Sequence, residues 1–138
     1  LEEESGALAL LMIDLDDFKQ INDNYGHPCG DFVLQEAAYR MQDVFAGVHS
    51  VGRVGGDEFM VLLHSAPDRD ELERQSGRLI DEISSIQWKN RLVGTNCSIG
   101  IVRAGQGGMT YDALYREADR SLYEAKKQGK GCWNIKEI

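Results

Sequence analysis

Arg53-Val54-Gly55-Gly56-Asp57-Glu58-Phe59 is the stretch of this chain that most restricts its fold and its chemistry. Apolar residues flank the two glycines and the two carboxylates, a pattern that predicts a strand, a tight turn and a second strand. Glycines at the tip of such a turn let a bulky ligand approach the backbone, and the adjacent acids can hold a metal ion against that ligand. A surface hairpin with a solvated acidic turn is the alternative interpretation.

A second acidic cluster, Asp14-Leu15-Asp16-Asp17, directly follows an apolar run over residues 7–13. An unbroken apolar run that is too short to span a membrane is typical of a strand buried on both faces. Asp16 or Asp17 is expected to cap a helix that begins at Phe18. Asp14 adjoins the buried strand, where a carboxylate needs a partner, and a hard cation would supply one.

Together the two acidic clusters predict a magnesium site. Magnesium prefers carboxylate oxygens, carbonyls and waters, and it often bridges protein acids to phosphates. Carboxylates that converge without a cation repel each other and raise a pKa, whereas a bound cation removes that penalty.

The composition limits the class of protein. A chain of 138 residues is expected to form one domain, residues 1–138, with a sizeable core. It contains no apolar stretch of membrane-spanning length and no signal peptide, so we expect no direct membrane contact. A net charge of −8 disfavours a nucleic-acid partner, because such binding depends on Lys and Arg neutralising phosphates. Three cysteines without a CxxC pair favour a reducing compartment, and we expect a cytoplasmic location.

The hydrophobic pattern predicts an α+β fold in which helices cover a central, mostly antiparallel sheet. The expected element order is βααββαβαβ. The strands are expected at about 7–14, in a hairpin over about 50–64, within 92–103 and at about 131–137. The helices are expected at about 17–25, 29–46, 68–87 and 111–128.

Three segments resemble the signatures of GGDEF domains: residues 14–31 (DLDDFKQINDNYGHPCGD), 55–59 (GGDEF) and 118–130 (ADRSLYEAKKQGK). Their order and spacing agree with the family over nearly the whole chain. Members with an intact motif are diguanylate cyclases, which join two GTP molecules into cyclic di-GMP and release two pyrophosphates. The resemblance therefore implies this activity, a divalent metal such as Mg²⁺ or Mn²⁺, and the palm-like core that nucleotidyl cyclases and polymerases share.

The resemblance assigns the metal and the chemistry to the two acidic clusters. Asp14 and Asp57 would be the metal-binding carboxylates, assisted by the backbone carbonyl of Leu15. Glu58 would either help to activate the attacking 3′-hydroxyl or complete the metal shell, which makes Asp57 and Glu58 the catalytic pair. Two metals can together polarise an α-phosphate, favour a deprotonated hydroxyl and neutralise pyrophosphate.

The resemblance also implies a set of nucleotide contacts. The guanine edge would bond to Asn22 and Asp31, and the base would pack near Leu34. A carboxylate suits the N–H and amino groups of guanine, and a mismatched base would leave buried groups unpaired. The remaining implied contacts are Lys19, Lys126, Lys130 and the backbone amides near Asp17 and Phe18 for the phosphates, with Gly55 and Gly56 leaving room for the nucleotide.

The chain departs from the family pattern at three places. It begins at Leu1 without the usual Leu-Thr-Gly-Leu…Asn-Arg segment, so we expect it to be a fragment of a larger signalling protein. That parent protein is expected to have a sensor or receiver domain, and it can be membrane-anchored. Lys130 stands where arginine is more common, and it keeps the charge without the guanidinium fork. Ala46-Gly47-Val48-His49 replaces the usual inhibitory Arg-x-x-Asp.

An active cyclase of this kind is expected to work as a homodimer. Each domain would hold one GTP, and each 3′-hydroxyl must reach the α-phosphate held by the other copy. A catalytically inactive GTP-binding regulatory module and a structural domain with solvated acids are the alternatives. Loss of the Gly-Gly-Asp-Glu motif would favour the inactive module, and here that motif is intact.

Overall fold

The computed structural model describes residues 6–45, 50–105 and 109–138. Within these ranges the elements follow the expected order, with one short additional hairpin. The strands are β1 (Ala7–Asp16), β2 (Ser50–Arg53), β3 (Glu58–Leu63), β4 (Gln87–Trp88), β5 (Arg91–Leu92), β6 (Asn96–Gly105) and β7 (Trp133–Glu137). The helices are α1 (Phe18–Tyr25), α2 (His27–Val44), α3 (Arg69–Ser84) and α4 (Tyr111–Lys127).

A five-stranded sheet in the order β2-β3-β1-β6-β7 forms the centre of the fold. β1 pairs antiparallel with both β3 and β6, and β2 pairs antiparallel with β3. β7 runs parallel to β6. The structure thereby confirms the α+β class and the mostly antiparallel sheet that helices cover.

The sequence pattern does not indicate the short β4–β5 hairpin. This hairpin begins at Gln87, the last residue of the helix predicted over 68–87, whereas α3 already stops at Ser84. Lys89 and Asn90 form its turn with φ values of 52° and 67°. Asn adopts this left-handed conformation more readily than most residues, but Lys gives no turn signal in a sequence. The predicted helix therefore extends too far.

The start of each longer helix has a local cause. Asp68 caps α3 by accepting a hydrogen bond from the Glu71 N–H at 2.9 Å, and Thr110 caps α4 by accepting one from the Ala113 N–H at 3.1 Å. Pro28 lies in the first turn of α2, where its missing N–H costs nothing. No helix within the described residues combines the length and the apolarity that crossing a membrane requires.

Strand β1 is buried on both faces, as its apolar run predicts. Leu11 and Ile13 belong to a large core cluster that also includes side chains of α1, α2 and α3. Leu10 and Met12 belong to a smaller cluster beneath α4. All four side chains are fully buried, and each such burial stabilises the fold by about 1.5–3 kcal/mol. The acidic residues at the end of β1, Asp14 and Asp16, are therefore part of a rigid strand.

Helix α4 lies directly on β6 because Gly100 has no side chain. A Cβ at Gly100 would lie 2.1 Å from the backbone nitrogen of Leu122 and 2.5 Å from the carbonyl oxygen of Ala118. Both distances are far below van der Waals contact, so only glycine permits this approach. Ser121 adds a polar link, because its hydroxyl donates to the Asn134 carbonyl at 2.6 Å. The end of α4 is thereby held beside the end of β1.

Candidate functional site

The two acidic clusters lie side by side at one end of the central strands. Asp14 in β1 lies directly opposite Glu58 in β3, because the antiparallel strands pair in that register. The Leu15 N–H donates to the Asp57 carbonyl at 3.0 Å, which attaches the glycine-containing turn to the end of β1. The structure thus brings together the four residues to which the sequence analysis assigned metal binding.

The turn between β2 and β3 has hydrogen bonds of its own. The Val54 N–H donates to the Glu58 carbonyl at 2.9 Å, and Arg53 Nε donates to the Gly55 carbonyl at 3.1 Å. Neither Gly55 nor Gly56 adopts a positive φ. Among the described residues, a Cβ at Gly56 would meet no atom within 4 Å, and a Cβ at Gly55 would meet Glu58 at an ordinary 3.6 Å. The described fold therefore does not itself require glycine at these two positions.

Negative charge at this end of the sheet alters the pKa values of the acids. Burial and then the neighbouring carboxylate of Asp14 raise the pKa of Asp57. Burial, Asp14 and Asp119 raise the pKa of Glu58, against a smaller opposing effect of Lys126. Burial and, to a smaller extent, mutual repulsion therefore both disfavour the charged forms of Asp57 and Glu58. Such a cluster favours the binding of a cation.

The two carboxylate oxygens of Asp14 have different environments. Oδ2 accepts a hydrogen bond from Lys126 Nζ. Oδ1 is buried and has no hydrogen-bond partner among the residues that the structure describes. Burial lowers the pKa of Lys126, but the hydrogen bond and the charge of Asp14 outweigh burial and leave that pKa raised. Because an unpartnered buried carboxylate oxygen is costly, Oδ1 is the atom that a bound cation would stabilise most.

The side chains alone form an incomplete metal shell. Across the described ranges, no group of three or more His, Cys, Asp or Glu side chains is arranged to hold a metal ion. Asp14 and Asp57 nevertheless supply the oxygen donors that Mg²⁺ prefers. This ion commonly takes one or two carboxylates and completes its shell with waters and substrate phosphates. The residues present therefore fit a divalent cation that is shared with a phosphate ligand.

A cavity of about 360 Å³ lies between α2 and the β2–β3 hairpin. Asp31 and Leu34 line it from α2, and Arg53 and Phe59 line it from the hairpin. Leu34 and Phe59 are buried, while Asp31 and Arg53 are exposed, so the cavity combines apolar walls with two opposite charges. Its volume is in the range of small-molecule sites. The structure thus places Asp31 and Leu34, two of the predicted guanine contacts, in one cavity.

Asn22, the third predicted guanine contact, lies where α1 meets α2 and is not among the residues that line the cavity. Its side chain packs against Gly30, where a Cβ would lie 1.9 Å from Asn22 Oδ1. The same Cβ would lie 3.2 Å from the ring of Phe18. Because Gly30 directly precedes Asp31, this packing places the Asn22 amide beside the helix end that carries the cavity carboxylate.

The three lysines predicted to contact phosphates have different surroundings. Lys126 lies against the acidic cluster through its hydrogen bond to Oδ2 of the β1 carboxylate. Lys130 Nζ lies 3.1 Å from Asp17 Oδ1, in a pair that is about half exposed. Lys19 pairs with Asp23 at 3.2 Å, and its side chain is 89% exposed. Lys126 and Lys130 therefore lie beside the acidic segment 14–17, whereas Lys19 extends into solvent.

The expectation that Asp16 or Asp17 caps α1 with its side chain is wrong. Asp17 occupies the N-cap position in a left-handed conformation (φ 54°, ψ 37°), and its side chain makes no capping hydrogen bond. Asp16 Oδ1 accepts from the Ser98 hydroxyl at 2.7 Å, and Oδ2 accepts from the Gly131 N–H at 3.0 Å. Asp16 therefore links β1 to β6 and to the loop before β7.

Several further residues, to which the sequence pattern assigns no role, shape the site. Arg53 and Phe59 flank the turn in sequence, but nothing in the pattern indicates that they line a cavity with Asp31. Asp119 had a detectable signal, because it precedes Lys126 by two helical turns and so shares its face of α4. Residues 46–49, where the sequence departs from the usual inhibitory Arg-x-x-Asp, lie outside the described residues.

Comparison with known proteins agrees with this arrangement. The family model "Diguanylate cyclase, GGDEF domain" matches residues 1–132. Diguanylate cyclase DgcS of Shewanella oneidensis is 33% identical over 97% of this chain and 44% of that protein. Diguanylate cyclase TpbB of Pseudomonas aeruginosa is 37% identical over 99% of this chain and 32% of that protein. The active GGEEF domain of a diguanylate cyclase from Vibrio cholerae has a TM-score of 0.86 and 28% identity, over 97% of this chain and 85% of that one.

The chain spans less than half the length of these two curated bacterial relatives. The family match includes both acidic clusters, the α2 side of the cavity and the lysine-containing end of α4. The chain belongs to the family of diguanylate cyclase GGDEF domains.

Proposed function

We propose that this domain is an active diguanylate cyclase, which condenses two GTP molecules into cyclic di-GMP and two pyrophosphates with a divalent metal, Mg²⁺ or Mn²⁺. The observation that carries the proposal is the register of β1 and β3. It places Asp14 opposite Glu58, while the Leu15–Asp57 backbone hydrogen bond holds the glycine turn at the same end of the sheet. Glu58 directly precedes Phe59, which lines the cavity, so one nucleotide would extend from the cavity across the turn to the acids.

The guanine is assigned to the cavity between α2 and the hairpin. The Asp31 carboxylate would accept hydrogen bonds from the N–H and amino groups of guanine, which adenine cannot supply in the same arrangement. The buried side chain of Leu34 would pack against the base. Asn22, held against Gly30, would add an amide contact from the adjoining end of α1.

The glycine pair supports the same placement of the nucleotide. Neither the backbone conformation nor the packing of the described residues demands glycine at Gly55 or Gly56. A requirement for the absence of a side chain would then come from a ligand that approaches the turn closely. A nucleotide that extends from the cavity at Arg53 and Phe59 toward the acids would pass over this turn.

The triphosphate is assigned to the segment between β1 and α1 and to the end of α4. Lys126 and Lys130 bring positive charge there, and Lys19 would join them by turning its exposed side chain. The free N–H groups at the start of α1, near Asp17 and Phe18, add further donors for phosphate oxygens.

Asp14 and Asp57 are assigned to hold the divalent metal, with the Leu15 carbonyl assisting. A bound divalent cation would polarise the α-phosphate and neutralise the departing pyrophosphate. Glu58 is assigned either to accept the proton of the attacking 3′-hydroxyl or to complete the metal shell. Its position directly opposite Asp14 in the paired strands suits either role.

Catalysis is proposed to require two copies of the domain. One copy holds one GTP, so the 3′-hydroxyl of each nucleotide must attack the α-phosphate held by the other copy. In a longer parent protein, a sensor or receiver domain would set the distance between the two copies. We place the domain in the cytoplasm, where GTP is available.

The test is incubation of the domain, fused to a dimeric leucine zipper, with GTP and Mg²⁺, followed by chromatography and mass spectrometry of the nucleotides. Appearance of cyclic di-GMP supports the proposal. Metal-dependent binding of GTP without any product would identify a catalytically inactive regulatory module instead. Failure to bind GTP at all would leave only a structural domain.

A further inference from the structure

Lys126, which is proposed to bind phosphate, also contacts the carboxylate of Asp14. Its ammonium group donates to Asp14 Oδ2, across 112 positions of the chain, from the last turn of α4 to the end of β1. The Asp14 side chain is only 14% exposed, and that of Lys126 is 36% exposed. A pair this far from full exposure is screened less by water and salt than a surface pair. The contact therefore contributes substantially to the electrostatics of the site.

The lysine and a divalent cation compete for the same carboxylate. Asp14 Oδ1 is buried without a hydrogen-bond partner among the described residues, and Asp14 is assigned to metal binding. An ammonium group on Oδ2 would lie within a few ångströms of a cation on Oδ1, because the two oxygens belong to one carboxylate. Like charges at that distance repel strongly in a partly buried site. Full binding of the cation therefore requires Lys126 to move away or to be neutralised by another anion.

A triphosphate would provide that other anion. Lysine is a point charge on a flexible four-carbon chain, so Lys126 can exchange a carboxylate acceptor for a phosphate acceptor without movement of α4. The helix itself is fixed by the close packing of Gly100 against Ala118 and Leu122. Movement of the Lys126 side chain is thus the smallest change that frees Asp14.

We infer that Lys126 makes metal binding at Asp14 dependent on the nucleotide: it reserves the carboxylate until a triphosphate withdraws its ammonium group, so the divalent cation enters with GTP rather than before it. This inference rests on the proposed function, because it assumes that a nucleoside triphosphate is the ligand. It gives Lys126 a positioning role toward the cation in addition to its proposed contact with phosphate.

Lys127 provides a matched control for Lys126. It is the next residue of α4 and has the same chemistry, but its ammonium group lies 5.6 Å from the centre of the Tyr123 ring and 3.9 Å from Glu124. Its side chain is 59% exposed. Substitution of Lys127 removes the same charge from the protein without affecting the contact on Asp14.

The experiment is a titration of Mn²⁺ in the absence of nucleotide, with free Mn²⁺ measured by electron paramagnetic resonance. We expect Lys126→Met to bind Mn²⁺ at least about tenfold more tightly than the unmodified domain, since one nearby charge shifts a binding equilibrium by about one to three powers of ten. Lys127→Met and Lys126→Arg should bind Mn²⁺ like the unmodified domain. The double variant Asp14→Asn with Lys126→Met should lose the gain, which locates the ion at Asp14.

A second titration uses 3′-deoxy-GTP, which supplies the triphosphate but not the attacking hydroxyl. With this ligand, the advantage of Lys126→Met should disappear, because the phosphates draw Lys126 away in the unmodified domain. Equal Mn²⁺ affinity of Lys126→Met and the unmodified domain without nucleotide would overturn the inference, and so would weaker binding. If Lys126→Met does not fold by circular dichroism, Lys126→Gln takes its place with the same expected outcomes. Neither titration measures product, so an inactive domain and an incorrect role for Lys126 give distinguishable results.

Discussion

The N–H of Leu15 donates to the carbonyl oxygen of Asp57 at 3.0 Å, and this bond joins two acidic segments that lie far apart in the chain. One partner ends a strand that is buried on both faces, and the other ends a turn that carries two glycines. Because the bond is between backbone atoms, the relative position of the segments does not depend on the side chains that would bind a ligand. The acids are thus held in place by the sheet itself.

Removal of either proposed metal-binding carboxylate should nearly abolish the reaction. Asp14→Asn and Asp57→Asn each keep the size of the side chain and remove its charge. We expect formation of cyclic di-GMP to fall at least about 100-fold, the scale of losing one main electrostatic group in an active site. The assay is chromatographic quantification of the product. Asp81→Asn, at an exposed position of α3, is the control and should retain full activity; near-normal turnover by Asp57→Asn would refute the assignment.

The cavity carboxylate should determine the preference for guanine. Asp31→Ala should weaken GTP binding by about 1–3 kcal/mol, because the N–H and amino groups of the base lose their acceptor. Calorimetry with GTP and ATP measures both the affinity and the preference. Tyr39→Ala, on the same helix with a 72% exposed side chain, should leave both affinities unchanged. Equal affinities for GTP and ATP in the unmodified domain would show that this cavity does not read guanine.

The glycines of the turn and of the sheet should respond oppositely to substitution. Gly56→Ala should leave thermal stability almost unchanged, within about 0.5 kcal/mol, because its Cβ meets no described atom, while it reduces activity by obstructing the nucleotide. Gly100→Ala should cost about 1–3 kcal/mol of stability, because its Cβ would collide with the backbone of α4. Thermal denaturation and product assays on both variants test this contrast. A large loss of stability in Gly56→Ala, or none in Gly100→Ala, would contradict the packing described above.

Activity of the isolated domain should rise steeply with protein concentration. Two copies must meet before one nucleotide can attack the other. The rate per molecule should therefore increase as the protein concentration is raised, and it should saturate once dimers dominate. Fusion to a leucine zipper should raise the rate at low concentration by increasing the effective concentration of the second copy. Initial rates over a wide concentration range, with sedimentation to record the oligomeric state, provide the test. A rate per molecule that is independent of concentration in a monomeric sample would argue against two-copy catalysis.

The product should not inhibit the enzyme through residues 46–49. Alanine at position 46 has no donors for phosphate or guanine, and His49 lacks the acceptor strength of a carboxylate. Titration of cyclic di-GMP into the zipper fusion should therefore leave the initial rate unchanged at micromolar levels of product. Strong inhibition that disappears in His49→Ala would show that this segment does bind the product.

The large features of the fold could be predicted because hydrophobic pattern determines them. The run before Asp14 predicts a strand buried on both faces, and β1 is that strand. The β4–β5 hairpin could not be predicted, because its turn places Lys89 in a left-handed conformation that lysine does not signal. The hairpin is stabilised by tertiary packing and not by local propensity. One such contact joins the rings of Trp88 and Phe32, whose centres are 5.3 Å apart.

The candidate site could likewise be predicted only in part from the sequence. The sequence predicted that Asp14 and Asp57 converge, because both follow recognisable elements and match a known motif. It could not predict the partners of Asp16, since Ser98 and Gly131 reach it only after the sheet has formed. Local capping rules predict that Asp16 or Asp17 caps α1. In the structure the Asp16 carboxylate accepts long-range hydrogen bonds, and the Asp17 carboxylate pairs with Lys130.

The most direct test of the proposed activity is a mass balance on the zipper fusion supplied with GTP and Mg²⁺. Cyclic di-GMP and pyrophosphate are quantified together, in the unmodified protein and in Asp57→Asn. We expect two pyrophosphates for each cyclic di-GMP formed, and loss of both products in the variant. Binding of GTP without either product, or an undiminished yield in Asp57→Asn, would contradict it.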